Sequence, residues 1–166
     1  RREAELDAVI EYTHACLALL DRDMRFVMVN SAYASNAGHT KAELIGQNHF
    51  ALFPNAENQA IFEQVRDSGQ PYLAEEKPFE FADQPWRGVT YWNWTLVPIK
   101  DQTGRTDRLL LSLLDVTPQV LARRQIERWA AEAQHRAAEL DAIIASMADG
   151  VIVYGPGAEI VRMNDA

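Results

Sequence analysis

The sequence predicts an α+β domain, a five-stranded antiparallel sheet with its helices on one face. Three observations predict it. An apolar hairpin pattern stands near the start, a stretch crowded with helix caps and glycines follows, and three long runs rich in aromatic, β-branched and leucine residues come after Pro71. Because the helical stretch joins two groups of strands, it must cross over the sheet and pack on one side of it.

Residues 4–13 place Leu6, Val9, Ile10 and Thr13 at three- and four-residue spacing, the pattern of an amphipathic helix that needs a surface to lie on. Residues 17–20 and 26–29 are short apolar strands around Asp21-Arg22-Asp23, a turn. Asn30-Ser31 offers the N-cap of a helix that Gly38 ends, and Thr40-Lys41-Ala42-Glu43 is a capping box for one helical turn ended by Gly46. Residues 50–53 form another turn stopped by Pro54. Asn55 then caps a longer helix with Ile61, Phe62 and Val65 on one side, closed by Gly69. The runs 72–81, 89–99 and 108–114 are strands, separated by Asp83-Gln84-Pro85 and by Asp101-Gln102-Thr103-Gly104. The N-terminal helix and a partner subunit are the expected cover for the sheet's second face.

The chain then begins to repeat. Residues 5–32 align without a gap on residues 139–166, at a constant separation of 134, and both open on Glu-Leu-Asp-Ala. A repeat of this length means tandem copies of one domain. The expected organisation is an N-terminal helix over 1–14, a domain over 15–117, a coiled-coil helix over 118–148, and the opening of a second domain over 149–166. With 48% hydrophobic and 24% charged residues, the 166 residues supply one core of about 100–130 residues but not two. The second opening is therefore expected to be poorly folded or paired with something else.

In the connecting helix Ile126, Ala130, Ala133, Ala137, Leu140, Ile144 and Met147 alternate spacings of four and three, the seam of a coiled coil. Alanines bury little area, so a homodimer through this seam and the N-terminal helix is expected to pair weakly and to be able to rotate or shift register. Thr117 is read as the helix N-cap, with Pro118 at its first position.

Net charge is −8, which disfavours nucleic acid because phosphates need clustered cations. No apolar run approaches the roughly 18 residues needed to cross a bilayer, so no membrane contact is expected within this stretch. The one cysteine, Cys16, cannot close an intrachain disulfide and reads as a small apolar residue. No two His or Cys lie three or four apart, so no metal site is expected. No nucleophile–base pair is evident, and no catalysis is expected from this stretch.

Val29-Asn30-Ser31-Ala32-Tyr33, Gly38-His39-Thr40-Lys41-Ala42-Glu43-Leu44-Ile45-Gly46, the run from Val97-Pro98-Ile99-Lys100-Asp101 to Gly104, and Asp115-Val116-Thr117 together resemble the PAS sensory domain family, in the family's order. The resemblance covers residues 5–117 and resumes at Glu139. It implies a cytoplasmic sensory module of a multi-domain signalling protein, such as a histidine kinase of a two-component system or a cyclic-dinucleotide enzyme. It also implies a central pocket for a small-molecule ligand or cofactor, and a junction at Asp115 and Thr117 that couples sheet to helix. The pocket candidates are Asn30, Ile61, Phe62, Val65, Trp92, Asn93, Trp94, Leu111 and Leu113.

Alternation along the aromatic strand puts Trp92, Trp94 and Leu96 on one face and Tyr91, Asn93, Thr95 and Val97 on the other, without deciding which looks inward. The cofactor is left open, with none expected ahead of heme or flavin. The light-oxygen-voltage flavin branch is similar through Trp92-Asn93, but its reactive cysteine has no counterpart in Gly46-Gln47-Asn48-His49-Phe50, and Leu113 stands where its glutamine is expected. Heme needs an axial ligand, and His49 is the best candidate. His14, His39 and His135 read as surface or packing residues. His135 also lacks the acidic neighbour and the following Pro or Thr of a phosphoacceptor.

Overall fold

The computed structural model describes residues 2–147 and 149–164. Arg1, Ala148, Asp165 and Ala166, which fall at the ends of the expected first, third and fourth segments, lie outside the described residues. The chain forms two compact units, Arg1–Val120 and Leu121–Ala166.

The first unit opens with α1 (Arg2–Tyr12), then the hairpin β1 (Cys16–Asp21) and β2 (Phe26–Val29). Four helices follow: α2 (Ser31–Ala37), α3 (Lys41–Leu44), α4 (His49–Leu52) and α5 (Ala56–Ser68). The long strands β3 (Tyr72–Glu80), β4 (Val89–Lys100) and β5 (Thr106–Asp115) complete the sheet, and α6 (Thr117–Ser146) begins two residues after β5. The strand order is β2-β1-β5-β4-β3, antiparallel throughout, so the first and last strands meet at the centre. The α+β architecture with five antiparallel strands stands as the sequence predicts.

Local chemistry sets the helix ends. Asn30 Oδ1 accepts from the Tyr33 N–H, Thr40 and Glu43 complete the capping box, and Asn55 Oδ1 accepts from the Asn58 N–H. Gly38 and Gly69 end α2 and α5 in the left-handed conformation, at φ +75° and +68°. The turn expected over 50–53 starts one residue earlier, at His49, because Asn48 caps it through bonds to the Phe50 and Ala51 N–H groups.

One face of the sheet is the core. Ala18, Leu20, Trp92, Trp94, Leu96, Leu109 and Leu111 are buried against Phe26, Leu44, Phe62 and Val65 from β2 and the crossover helices. α1 is tied to α2 instead of lying on a core of its own. The Ile10 carbonyl accepts from Asn30 Nδ2, and Glu11 pairs with Lys41 at 2.6 Å and with the Ser31 hydroxyl. Its apolar residues Leu6, Val9 and Tyr12 remain exposed.

In the second unit the hairpin β6 (Ile152–Tyr154) and β7 (Ile160–Met163) repeats the β1–β2 hairpin residue for residue. Ala18, Leu19 and Leu20 pair with Val29, Met28 and Phe26; Ile152, Val153 and Tyr154 pair with Met163, Arg162 and Ile160. The register shifts at the equivalent step in both, and the turn residues Met24 and Ala158 have φ of 61° and 62°. The opening, expected to be poorly folded or paired with something else, is a two-stranded hairpin on which Ile152, Tyr154, Ile160, Val161 and Met163 remain exposed.

The expected cap at Thr117 is corrected. Its hydroxyl accepts from the Tyr91 N–H at 2.8 Å, and Asp115 Oδ1 accepts from the Thr117 N–H at 2.9 Å. Thr117 is itself the first residue of α6, whose opening bond runs from the Val120 N–H to the Val116 carbonyl at 3.0 Å, so the cap position falls on Val116. Ile126, Ala130, Ala133, Ala137 and Leu140 are exposed along α6, Ile144 is half-buried, and Met147 lies just past the helix end. Among the described residues no helix is long and apolar enough to cross a membrane.

Candidate functional site

Between the inner sheet face and the crossover helices lies a cavity of about 50 Å³. A single water needs roughly 10–15 Å³ on this measure, so the space holds on the order of four solvent-sized atoms. The sheet supplies Cys16, Trp92, Trp94, Leu111 and Leu113, with Phe79 and Phe81 from β3 and its end. The helical side supplies Tyr33, Asn36 and Ala37 from α2, His49 and Phe53 from α4 and its end, and Asn58 and Phe62 from α5.

Local structure fixes each wall. Trp92 Nε1 donates to Thr90 Oγ1 at 2.8 Å, and that hydroxyl donates to the Phe79 carbonyl at 2.7 Å, so the indole is anchored with its polar edge satisfied. Trp94 meets Phe62 edge-on, with ring centroids 5.8 Å apart. His49 is set by the Asn48 cap and by its own N–H, which donates to the Met24 carbonyl at 2.8 Å. Its ring then sits among Phe26, Phe50, Phe53 and Phe62, with centroids 4.6 to 5.5 Å away.

The wall contains no Asp, Glu, Lys or Arg. Burial without a counter-charge lowers the His49 pKa to about 3 and keeps the imidazole neutral. His49 Nδ1 is sealed from solvent and has no hydrogen-bond partner. Burial, then the charge of Asp115, raises the Cys16 thiol to about 11, so it stays protonated and donates weakly to the Ala32 carbonyl. Arg87 stacks 4.0 Å from the Phe81 ring centre and donates to the Asn36 carbonyl at 2.6 Å, while Gln84 Nε2 donates to the Ala37 carbonyl at 2.9 Å. Two bonds thus hold the segment between β3 and β4 against the end of α2.

Of the residues expected at the pocket, Phe62, Trp92, Trp94, Leu111 and Leu113 are on the wall. Asn30, Ile61, Val65 and Asn93 lie off that wall. Asn30 is fully buried but uses both polar atoms on backbone groups of α1, β1 and α2. Ile61 and Val65 lie elsewhere on α5, with Val65 in the core. Asn93 lies on the opposite face of β4 from the tryptophans, where its Oδ1 accepts from the Glu76 N–H left over by the β3 irregularity between Ala74 and Lys77.

Sequence reasoning missed Cys16, the α2 residues, Phe53, Asn58, Phe79 and Phe81. One of them left a signal: Asn58 precedes Phe62 and Val65 by four and seven residues, so it shares their helix face. The others come together only in three dimensions.

The residues do not fit heme or flavin. His49 is the one histidine on the wall, but a 50 Å³ space is far below the roughly 300–1,000 Å³ of pockets for larger ligands. Among the described residues no group of three or more His, Cys, Asp or Glu could hold a metal ion.

The comparisons with known proteins agree with this architecture. A family model described as the PAS fold matches residues 10–121. No curated protein matches. Among solved structures, an RNA-binding light-oxygen-voltage receptor is 19% identical with a TM-score of 0.61, over 81% of this chain and 38% of that one. A PAS domain from Colwellia psychrerythraea is 16% identical with a TM-score of 0.59, over 71% of this chain and 99% of that one. The PAS domain of nitrogen regulation protein NR(II) from Vibrio parahaemolyticus is 19% identical with a TM-score of 0.55, over 66% and 96%. At these identities the likeness is one of fold, whereas the family model covers most of the sequence and the observed sheet order, crossover helices and strand-to-helix junction fall within it: the chain belongs to the PAS-fold family.

Proposed function

We propose that this chain is a non-catalytic sensory and dimerisation module of a cytoplasmic, multi-domain signal-transduction protein, with a sensor histidine kinase or a cyclic-dinucleotide enzyme as the output. A disturbance at the cavity or at the dimer surface passes along α6 to a second PAS domain opening at the β6–β7 hairpin. The homodimer forms through α1 and the α6 seam from Ile126 to Met147.

One observation carries the reading. Tyr91, next to the wall residue Trp92, donates its N–H to the Thr117 hydroxyl and accepts from the Val116 N–H at 2.9 Å. Movement of the tryptophan strand is therefore transmitted to the first turn of α6 by two hydrogen bonds, with no intervening loop. The small alanines in the seam keep the proposed pairing weak enough to respond.

Sedimentation of the full chain over a concentration series tests the reading. Reversible dimerisation is expected, weakened by Ile126→Glu and altered by Thr117→Val. A concentration-independent monomer would overturn it.

A further inference from the structure

We infer that two copies of α6 pair through a stripe centred on Trp129, in which Ile126, Trp129, Ala133, Leu140, Ile143 and Met147 of one chain meet the same residues of a second copy in parallel order. The inference deepens the dimerisation reading above, on which the parallel order rests, by naming the residues that hold the two helices together.

The heptad alternation of α6 has two solutions. Ile126, Ala133, Leu140 and Met147 belong to both. Ala130, Ala137 and Ile144 complete one, whereas Trp129, Arg136 and Ile143 complete the other, again at alternate spacings of three and four. Periodicity does not choose between them, because a helix of about 3.6 residues per turn carries both sets on overlapping faces. Burial chooses. Ile144 is half-buried, while Ile143 is 56% exposed and Trp129 is 62% exposed.

The internal repeat makes the same choice a second time. Leu6, Val9 and Ile10 recur 134 residues later as Leu140, Ile143 and Ile144. In each copy the last of the three is half-buried and its carbonyl accepts from the buried asparagine of the following hairpin, Asn30 or Asn164. The first two stay exposed in both copies. The side of α6 that carries Ile144 is therefore engaged with its own hairpin. The pairing face turns toward Trp129, leaving Ala130 and Ala137 at its rim.

Area and pattern select a second copy as the occupant. Ile126, Trp129, Leu140, Ile143 and Met147 are each about half to two-thirds exposed. At roughly 100 Å² apiece, two helices remove on the order of 1,000 Å² from water, the size of a small specific interface. Alternation sustained over this length fits a partner helix with the same repeat, and Ala133, one turn beyond Trp129, leaves room for the two indoles. Arg136 is the one charged position in the stripe, and its guanidinium pairs with Glu132 one turn back. Facing the same residue of the partner, it limits the strength of pairing and keeps it reversible.

Sedimentation and cross-linking of the full chain test the stripe. Trp129→Ala replaces an exposed residue with a better helix former, so the fold is retained, and it should weaken the dimer by at least about thirtyfold. Arg136→Leu should tighten it by about tenfold or more. Under mild oxidation Ile143→Cys should form an interchain disulfide at least about tenfold faster than Ile144→Cys, with the native Cys16 buried and silent. A dimer that keeps its strength in Trp129→Ala, or that cross-links faster through Ile144→Cys, overturns the stripe and leaves the dimerisation reading standing. A monomer at every concentration overturns both.

Discussion

Asn30 and Asn164 make the same hydrogen bonds, 134 residues apart. Asn30 Oδ1 accepts from the Leu17 N–H at 2.9 Å and its Nδ2 donates to the Ile10 and Ala15 carbonyls, both at 2.9 Å. Asn164 Oδ1 accepts from the Val151 N–H at 2.8 Å, and its Nδ2 donates to the Ile144 and Asp149 carbonyls at 3.2 and 3.0 Å, with a further contact to Met147. Every shared partner is displaced by the same interval. In each case one buried amide clamps a helix end to the hairpin that follows, so α6 stands to β6–β7 as α1 stands to β1–β2.

Asn30→Ala should therefore be among the more damaging single changes in the first unit. It leaves the buried N–H of Tyr33 and the half-buried backbone groups of Leu17, Ile10 and Ala15 without their partner, a loss of about 2–4 kcal/mol. A shifted urea midpoint with an unchanged slope checks it. Asn164→Ala should instead speed amide hydrogen exchange in β6 and β7 while leaving β1–β5 unaffected.

His49 makes stability depend on pH in a particular direction. Its folded pKa of about 3 lies below the unfolded value of 6.5, so the unfolded chain takes up the proton first as pH falls. The contribution of the neutral ring is fully present above about pH 6.5 and is lost on acidification toward pH 3, at up to about 1.4 kcal/mol per pH unit. His49→Phe removes this slope. Urea midpoints at about pH 7 and about pH 4.5 should show the variant gaining on the wild type as pH falls, and a constant difference would contradict the assignment.

Gly38 is placed where a side chain meets obstruction. It has φ +75°, and an added Cβ would lie 2.8 Å from Gln84 Nε2, the group that bonds the Ala37 carbonyl. Gly38→Ala should cost about 1–2 kcal/mol, from the left-handed strain and the displaced glutamine. Thermal melts of Gly38→Ala and of Gly38→Ala with Gln84→Ala separate the two causes, because the double variant should recover the part owed to the clash.

The seam can be strengthened. Ala133→Leu and Ala137→Leu enlarge exposed seam positions of α6 and should tighten self-association by about tenfold or more each, at roughly 25 cal/mol per Å² of apolar surface buried in the dimer. Sedimentation equilibrium measures this directly, and unchanged association would show that this helix face is not the interface.

Much of the fold was legible because its signals are local. Asn30, Thr40 and Asn55 cap helices from positions read directly in the chain, since a cap needs only the next three residues. The β1–β2 turn and its later copy were equally visible in the repeat. The cavity was less so. Cys16 reads as filler and Phe79 and Phe81 as ordinary strand residues, and the irregularity between Ala74 and Lys77 breaks the alternation that would have sorted β3 into faces.

By itself the sequence determined the order of elements, the capped helix starts, the crossover that gathers helices on one face, and the doubled hairpin, all of which depend on neighbours within a few residues. Tertiary structure alone decided that Trp92 and Trp94 turn inward, that Asn93 serves a strand irregularity, that Thr117 is held by Tyr91, and that His49 is enclosed by Phe26 of β2 and Phe62 of α5 as well as by its own neighbours. The physical reason is that a strand with two apolar faces has no inside until the helices cover one of them, and a cavity exists only where side chains from distant segments fail to fill the space between them.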